Sequence, residues 1–454
     1  MRRHVIMGFL GDEDRSQLPP ATAEDTLTSF PLGNDRGEIG LGIGQALSDV
    51  ANLGLTSQRV GIDLLVLAAH VQAADTRISR RTESQNNWTR EIKIVVPVHD
   101  LDRWRPTESH IEKMLSFLTG DRWEVRFRSQ TVEINIPNPV VSDSAPAFSP
   151  DQVCLFSGGL DSLIGAIDLF AQNKKPLLVS HSAEGASSSA QEKCAAGIKA
   201  HYSQKRIERL RLWMRIPGNL INNVGSENTT RGRSFLFISV GVYAGLCFSN
   251  SPRILVPENG FISLNVPLDP LRVGALSTRT THPFYLKLWS ELIQKLNIAG
   301  TIENPYWNKT KGEMLRDCRN QGLISTIGRH SSSCSSPTKG RFQGHRMGHC
   351  GYCLPCIIRR AAFNESCNAD LTGYAIPDLS RNTLNSMTSE GQQVRSFQLA
   401  IKRLVDNPEL AKILVLKPGP LSLATTEFEG LAGVYRRGLE EVGRFLANVT
   451  TAPV

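Results

Sequence analysis

Apolar positions recur at helical spacing over residues 61–79, where Ile62, Leu65, Val66 and Ala69 share one face, and again over residues 111–118. Strict alternation, the period of a strand with one buried face, marks residues 91–99 through Ile92, Ile94, Val96 and Val98. Trp123, Val125 and Phe127 alternate in the same way, as do Val132, Ile134 and Ile136. The apolar run at residues 5–10 reads as a first strand. It is short for a signal-peptide core, and Asp12, Glu13 and Asp14 follow at once. Together these elements predict an α+β unit over residues 1–136, a helix packed on an antiparallel sheet.

Residues 137–150 are rich in proline and serine and read as a linker. The pattern then changes. Short, wholly apolar strands are expected at Val153-Cys154-Leu155-Phe156, at residues 177–180 and at residues 254–256, with helical stretches between them. That alternation predicts a doubly wound parallel sheet with helices on both faces over residues 151–370. From residue 371 to 454 the chain reads as helical. Leu431, Val434, Tyr435, Leu439, Val442 and Phe445 form a stripe that predicts a packing face and no chemistry.

The size of the chain, 454 residues with 40% hydrophobic and 21% charged, supports two or three units with ordinary cores. No apolar run approaches the roughly 20 residues that span a membrane. The net charge of +8 permits an anionic partner, nucleotide or nucleic acid, but the basic residues are scattered and do not select between them. Nine cysteines, four of them in a metal-ligand pattern, fit a reducing cytoplasmic compartment better than a disulfide framework.

Ser157-Gly158-Gly159-Leu160-Asp161-Ser162 stands between a strand and a helix predicted over residues 163–170. Two glycines let the backbone turn tightly and approach a phosphate without a Cβ in the way. The turn and the helix N-terminus aim N–H groups at an anion, and Ser157 and Ser162 can add hydroxyl donors. Asp161 repels phosphate, so its presence makes sense as a helix cap or as a ligand holding Mg²⁺ against a pyrophosphate. His181, just past the strand at 177–180, is a candidate for contact with the adenine of a nucleotide.

Cys350-Gly351-Tyr352-Cys353-Leu354-Pro355-Cys356 places three cysteines at two consecutive C-x-x-C spacings, and Cys334 lies upstream. Four thiolates complete the closed tetrahedral shell of a structural zinc site. A closed shell leaves no position for substrate, so a staple is expected, whose removal costs stability more than chemistry. His345, His349 and Cys318 are possible substitute ligands. A redox C-x-x-C pair and an iron–sulfur cluster are the alternatives.

Ser-Gly-Gly-Leu-Asp-Ser resembles the phosphate loop of PP-loop ATP pyrophosphatases, in which ATP adenylates a substrate oxygen, pyrophosphate leaves and a nucleophile displaces AMP. The loop together with the cysteine cluster, followed by Arg359, Arg360, Ala361 and Phe363, resembles the QueC family, 7-cyano-7-deazaguanine synthases. The resemblance implies ATP, Mg²⁺ and Zn²⁺ as cofactors, with zinc on Cys334, Cys350, Cys353 and Cys356. It also implies that Arg233, in Gly232-Arg233-Ser234-Phe235-Leu236, opens a helix beside the nucleotide and clamps phosphate or carboxylate.

The resemblance covers residues 152–367 and departs from the family after the third strand. There the chain reads Pro257-Glu258-Asn259-Gly260-Phe261-Ile262-Ser263-Leu264-Asn265, and then Ser277-Thr278-Arg279-Thr280-Thr281-His282-Pro283. These strings look like the QueC-like proteins of anti-phage defence, the QatC branch of the Qat system and its relatives in CBASS operons. Glu258, Asn259, Asn265, Arg279 and His282 become candidates for substrate contact. The implied reaction is activation of a 7-carboxy-7-deazaguanine-type carboxylate and transfer to an amine. In that branch the amine can belong to a partner protein of the same operon. An amide, not a nitrile, is the expected product. The alternatives are a complete 7-cyano-7-deazaguanine synthase, a tRNA-modifying PP-loop enzyme and a non-catalytic nucleotide-binding subunit. The unit at 1–136 is expected to be a separable module that recognises a partner, with Trp88, Trp104 and Trp123 as candidate contact residues, although a tryptophan at such a position is more often a core residue.

Overall fold

A computed structural model describes residues 3–16, 18, 25–85, 87–140, 148–181, 185–221, 225–227, 231–268, 279–335, 348–421 and 425–453. Half of the expected linker at 137–150, together with Ser277, Thr278 and His345, lies outside the described residues.

Strands β1 (Arg3–Leu10), β2 (Asp25–Gly33), β3 (Glu91–Val98) and β4 (Arg122–Ser129) form a sheet in the order β2-β1-β3-β4. Every pairing in it is parallel, with Val5 opposite Leu27 and Lys93, and Ile94 opposite Val125. The antiparallel expectation is therefore overturned. Helices Arg59–Arg77 and Glu108–Thr119 lie between the strands in sequence, and such crossovers return the chain in the same direction. The buried stretches of β1 and β3 are nearly continuous, as strands of parallel sheets are. Val132 and Ile134 are buried as the alternation predicted, but the run at 132–136 forms no strand. Trp104 and Trp123 are core residues, donating to Asp63 Oδ2 and Thr119 Oγ1 at 2.9 Å each; of these three tryptophans Trp88 alone reaches the surface.

The second sheet holds β5 (Gln152–Leu155), β6 (Pro176–His181), β7 (Arg209–Leu212), β8 (Arg253–Leu255) and β9 (Thr301–Glu303) in the order β7-β6-β5-β8-β9, all parallel. Strand order reverses between β5 and β8, and that crevice is where open parallel sheets bind ligands. Successive side chains leave the sheet on opposite faces. Val153 and Leu155 join one core with the Arg233–Leu246 helix, while Cys154 and Phe156 join another with the Leu160–Ala171 helix. Helices thus cover both faces, as expected.

The first of those cores continues without a break into the N-terminal unit. Helix Arg59–Arg77 packs against helix Arg233–Leu246, and Gly61 brings them together: a Cβ there would stand 3.1 Å from the Tyr243 ring. Ser57 Oγ and Tyr243 Oη share a hydrogen bond of 2.7 Å. Residues 1–136 are built into the molecule rather than appended to it. The C-terminal helices Ser389–Asp406 and Thr425–Phe445 form a third core around Val394, Phe397, Val434 and Tyr435, which realises the predicted stripe. Among the described residues no helix is long and apolar enough to cross a membrane.

Candidate functional site

Just past β5, Phe156 donates its N–H to Val179 O at 2.6 Å, and the chain then turns sharply. Gly158 makes the turn at φ +81°, where a Cβ would meet the Gln191 backbone at 2.9 Å, so only glycine fits. Gly159 N–H donates to Ser157 Oγ at 3.2 Å, and Ser162 Oγ donates to Gly159 O at 3.0 Å. Helix Leu160–Ala171 starts directly after, leaving its first N–H groups without intrahelical partners. A cavity of about 330 Å³ opens there.

Of the residues singled out in the sequence, Ser157, Gly159, Ser162, His181, Arg233, Glu258 and Cys334 line this cavity. Arg233 is largely buried and makes no hydrogen bond or ion pair among the described residues. Burial lowers its pKa, but a guanidinium stays cationic. Both ring nitrogens of His181 are buried without a hydrogen-bond partner among the described residues. Burial pushes this imidazole down to about 4, with Arg233 adding in the same direction, so it is neutral at physiological pH. Glu258 is held by a hydrogen bond from Thr281 Oγ1. Burial raises its carboxyl to about 7; the Asp161 charge adds to this, while the Thr281 bond and Lys311 oppose it. A carboxyl at that value can take up or release a proton near neutrality.

The other candidates have partners elsewhere. Leu160 is buried in the core beneath the loop. Asp161 accepts from Asn259 N and Nδ2 at 3.2 and 2.7 Å, and Lys311 Nζ lies 2.8 Å from its other oxygen. It ties the loop after β8 to the start of the helix after β5, with both of its oxygens engaged. Asn259 also caps the short helix Gly260–Leu264 through Ile262 N, and Asn265 ends that helix at φ 53°. His282 caps helix Pro283–Lys295 by accepting from Phe284 N at 3.2 Å. Arg279 donates to Phe117 O at 2.5 Å and lies over the Phe117 ring. None of these four lines the cavity. Their polar character serves caps and an inter-element contact, roles that a string of turn-forming residues also fits.

The cysteine cluster forms as expected. The four sulfurs of Cys334, Cys350, Cys353 and Cys356 lie within 4.8 Å of one another. Zinc–sulfur bonds of about 2.3 Å put tetrahedral ligands about 3.8 Å apart. Cys334–Cys353 and Cys350–Cys356 are separated by 3.8 and 3.9 Å. Cys353 N–H donates to Cys350 Sγ at 3.3 Å across a turn made by Gly351 at φ +92°, where a Cβ would strike Ile376 O at 2.7 Å. The cluster is thus positioned to hold a metal ion and is compatible with zinc. His349 stands outside the cluster, its Nε2 accepting from Ser333 N at 3.1 Å, and Cys318 is buried in a separate core.

This cage also shapes the cavity. Ser332, Ser333 and Cys334 line it, and Ser332 N donates to Gly158 O at 2.8 Å. The fully buried Arg359 holds the same segment, donating to Gly328 O and Ser331 Oγ at 2.8 Å each and to Ser333 Oγ at 3.2 Å.

Sequence reasoning missed Arg231, Gln191 and Lys311. Arg231 lines the cavity two residues before Arg233. Gln191 donates to Ser157 O and His181 O at 3.3 and 3.1 Å, and its Oε1 has no partner among the described residues. Lys311 is fixed from the C-terminal helix, where Glu441 accepts from Thr310 Oγ1 and from Gly312 N, the residues on either side. Only the proximity of Arg231 to Arg233 was visible in the sequence. The other two are lone polar residues in helices. No protein-family model and no curated protein sequence matches this chain.

Proposed function

We propose that this cavity is the active site of a QueC-like ATP pyrophosphatase. It adenylates a 7-carboxy-7-deazaguanine-type carboxylate and transfers the acyl group to an amine, with a partner protein as a candidate acceptor. The carrying observation is a glycine-turn loop and two arginines, Arg231 and Arg233, that carry no ion pair among the described residues, meeting at the strand-order reversal. Such a site is built for polyanions. The deazaguanine class rests on the resemblance of the loop and cysteine cluster alone.

In this reading a carboxylate oxygen of the substrate attacks the α-phosphorus of ATP. The bond from α-phosphorus to the bridging oxygen breaks, and pyrophosphate leaves with the electron pair. The first N–H groups of helix Leu160–Ala171, the Ser157 hydroxyl and the two guanidinium groups oppose the developing negative charge. The amine nitrogen then attacks the acyl carbon and the carbon–oxygen bond to AMP breaks. Glu258, the carboxyl poised near neutrality, accepts the nitrogen's proton. Magnesium, arriving with ATP, would add charge neutralisation at the phosphates; no step depends on Asp161 as its ligand.

Gly159→Val tests the first step. A Cβ there has 3.3 Å to Ser157 Oγ and 3.5 Å to Ser332 O, and Gly159 lines the cavity, so a branched side chain crowds the loop where the phosphates would sit. Pyrophosphate release from ATP and the carboxylate should fall by about 100-fold or more. Unchanged release in a folded variant would refute the site. Glu258→Gln tests the second step with an amine that is uncharged throughout. In the wild type, amide formation should rise with pH through about 7 as the carboxyl loses its proton. The variant should keep pyrophosphate release and lose that rise; an unaltered profile would exclude Glu258 as the base.

A further inference from the structure

Residues 231–233 carry two cations of the cavity, yet their anchors come from the N-terminal unit. Arg231 Nη1 donates to Thr119 O at 2.8 Å, and its guanidinium lies 5.2 Å from the Trp88 ring centroid. Gly232 N–H donates to Asp75 Oδ2 at 2.7 Å. Asp75 stands in the last turns of the Arg59–Arg77 helix and is fully buried.

Its other oxygen belongs to a buried ionic web. Arg90 Nη2 reaches Asp75 Oδ1 at 3.1 Å and Asp121 Oδ2 at 2.6 Å, and Arg80 Nη2 reaches Asp121 Oδ2 at 2.5 Å. Arg90 Nη1 also donates to Ala74 O, Asp75 O and Ile78 O at 3.3, 3.1 and 2.6 Å. Arg80 also faces Asp75 at 3.6 Å and Glu227 at 3.9 Å, so three carboxylates surround the two arginines. For stability alone, apolar residues would serve such a position as well or better. This web instead locks the Asp75 carboxylate in one orientation, with Oδ2 aimed outward at the residue between Arg231 and Arg233.

We infer that Asp75 is a positioning residue for the anion site: it fixes Gly232 at the start of the Arg233–Leu246 helix and so sets where Arg231 and Arg233 present their guanidinium groups. The N-terminal unit thereby completes a site whose phosphate loop belongs to the second sheet. Gly232 is matched to this contact. A Cβ there would stand 3.2 Å from Asp75 Cβ, Cγ and Oδ2, closer than side chains normally pack.

The inference rests on the reading of the cavity as an anion site, and affinity for inorganic pyrophosphate, measured by calorimetry, tests it. Asp75→Asn keeps an oxygen for Gly232 N–H but removes the charge that orients it, and Arg90 retains Asp121. Pyrophosphate affinity should fall about tenfold in this variant, and by far less when Arg233→Ala is already present, because coupled residues are not additive. An equal loss in both backgrounds would mark Asp75 as merely structural and overturn the inference, as would an unchanged affinity in the folded variant. Gly232→Ala is the second variant, for the case that Asp75→Asn does not fold. It leaves every charge of the web in place and displaces only this contact. A smaller loss of the same sign is expected, and undiminished affinity in that variant overturns the inference. Wild-type protein that binds pyrophosphate without cleaving ATP would defeat the adenylation reading and leave this coupling measurable. Wild-type protein that binds no pyrophosphate would defeat both.

Discussion

Deletion of residues 1–136 is expected to leave the remaining chain unfolded or aggregated, not a smaller enzyme that still cleaves ATP. The Arg233–Leu246 helix shares its core with the Arg59–Arg77 helix, including Phe235, Leu236 and Val240 on one side and Ile62, Leu65 and Val66 on the other. Each such side chain left in water loses roughly 1.5–3 kcal/mol. The three on the retained helix alone amount to roughly 5–9 kcal/mol, comparable to the entire stability of a typical domain. Tyr243 would also lose Ser57, and Arg231 would lose Thr119. Circular dichroism and gel filtration of the 137–454 fragment check this. A monomeric, cooperatively folding fragment that releases pyrophosphate at the full-length rate would show that the shared core is dispensable and would restore the separable module.

That separability was inferred from a proline-rich stretch and from where a resemblance ends, and neither reports which helix packs on which. What could be read was local. Helix Arg59–Arg77, strand β3 and the strand–loop–helix at residues 152–171 came from periodicity, and the cysteine cage came from ligand spacing. Strand direction was misread: alternation looks the same in either sense, and the helices legible between the strand runs, which decide it, were not used as crossovers. Strand β7, Arg-Leu-Arg-Leu, carried an alternation that went unused, and β9 is too short to carry one. Within the site, residues on the loop after β5 were legible because glycines and serines have few other reasons to stand in that order. Asn259, Asn265, Arg279 and His282 stand outside the cavity lining, in caps and an inter-element contact, and caps and ligands draw on the same residue types. Glu258 sits among them and does line the cavity. Its neighbour Thr281 was in plain view but lies twenty-three residues away in sequence.

Loss of the metal is expected to cost both fold and binding, where the sequence predicted a cost mainly in stability. Purified protein should contain about one zinc per chain, the stoichiometry of a single closed four-thiolate shell. Structural zinc contributes on the order of 10 kcal/mol to the segment that it closes. Here that segment runs from the Cys334 loop to the start of helix Leu354–Ser366, where Cys356 is fully buried. Cys356→Ser should therefore lose the metal, and its thermal midpoint should fall by about 10 °C or more. The same cage holds Ser332 against Gly158 and sets Cys334 in the cavity wall. Freed of it, the glycine turn loses one of its anchors, and pyrophosphate or ATP should bind more weakly even at temperatures where the variant is folded. Metal analysis, a melting curve and calorimetry on one preparation separate these effects. Metal-free protein with unaltered melting would remove the staple. Lowered melting with unaltered nucleotide affinity would confine the cage to stability and cut its link to the loop.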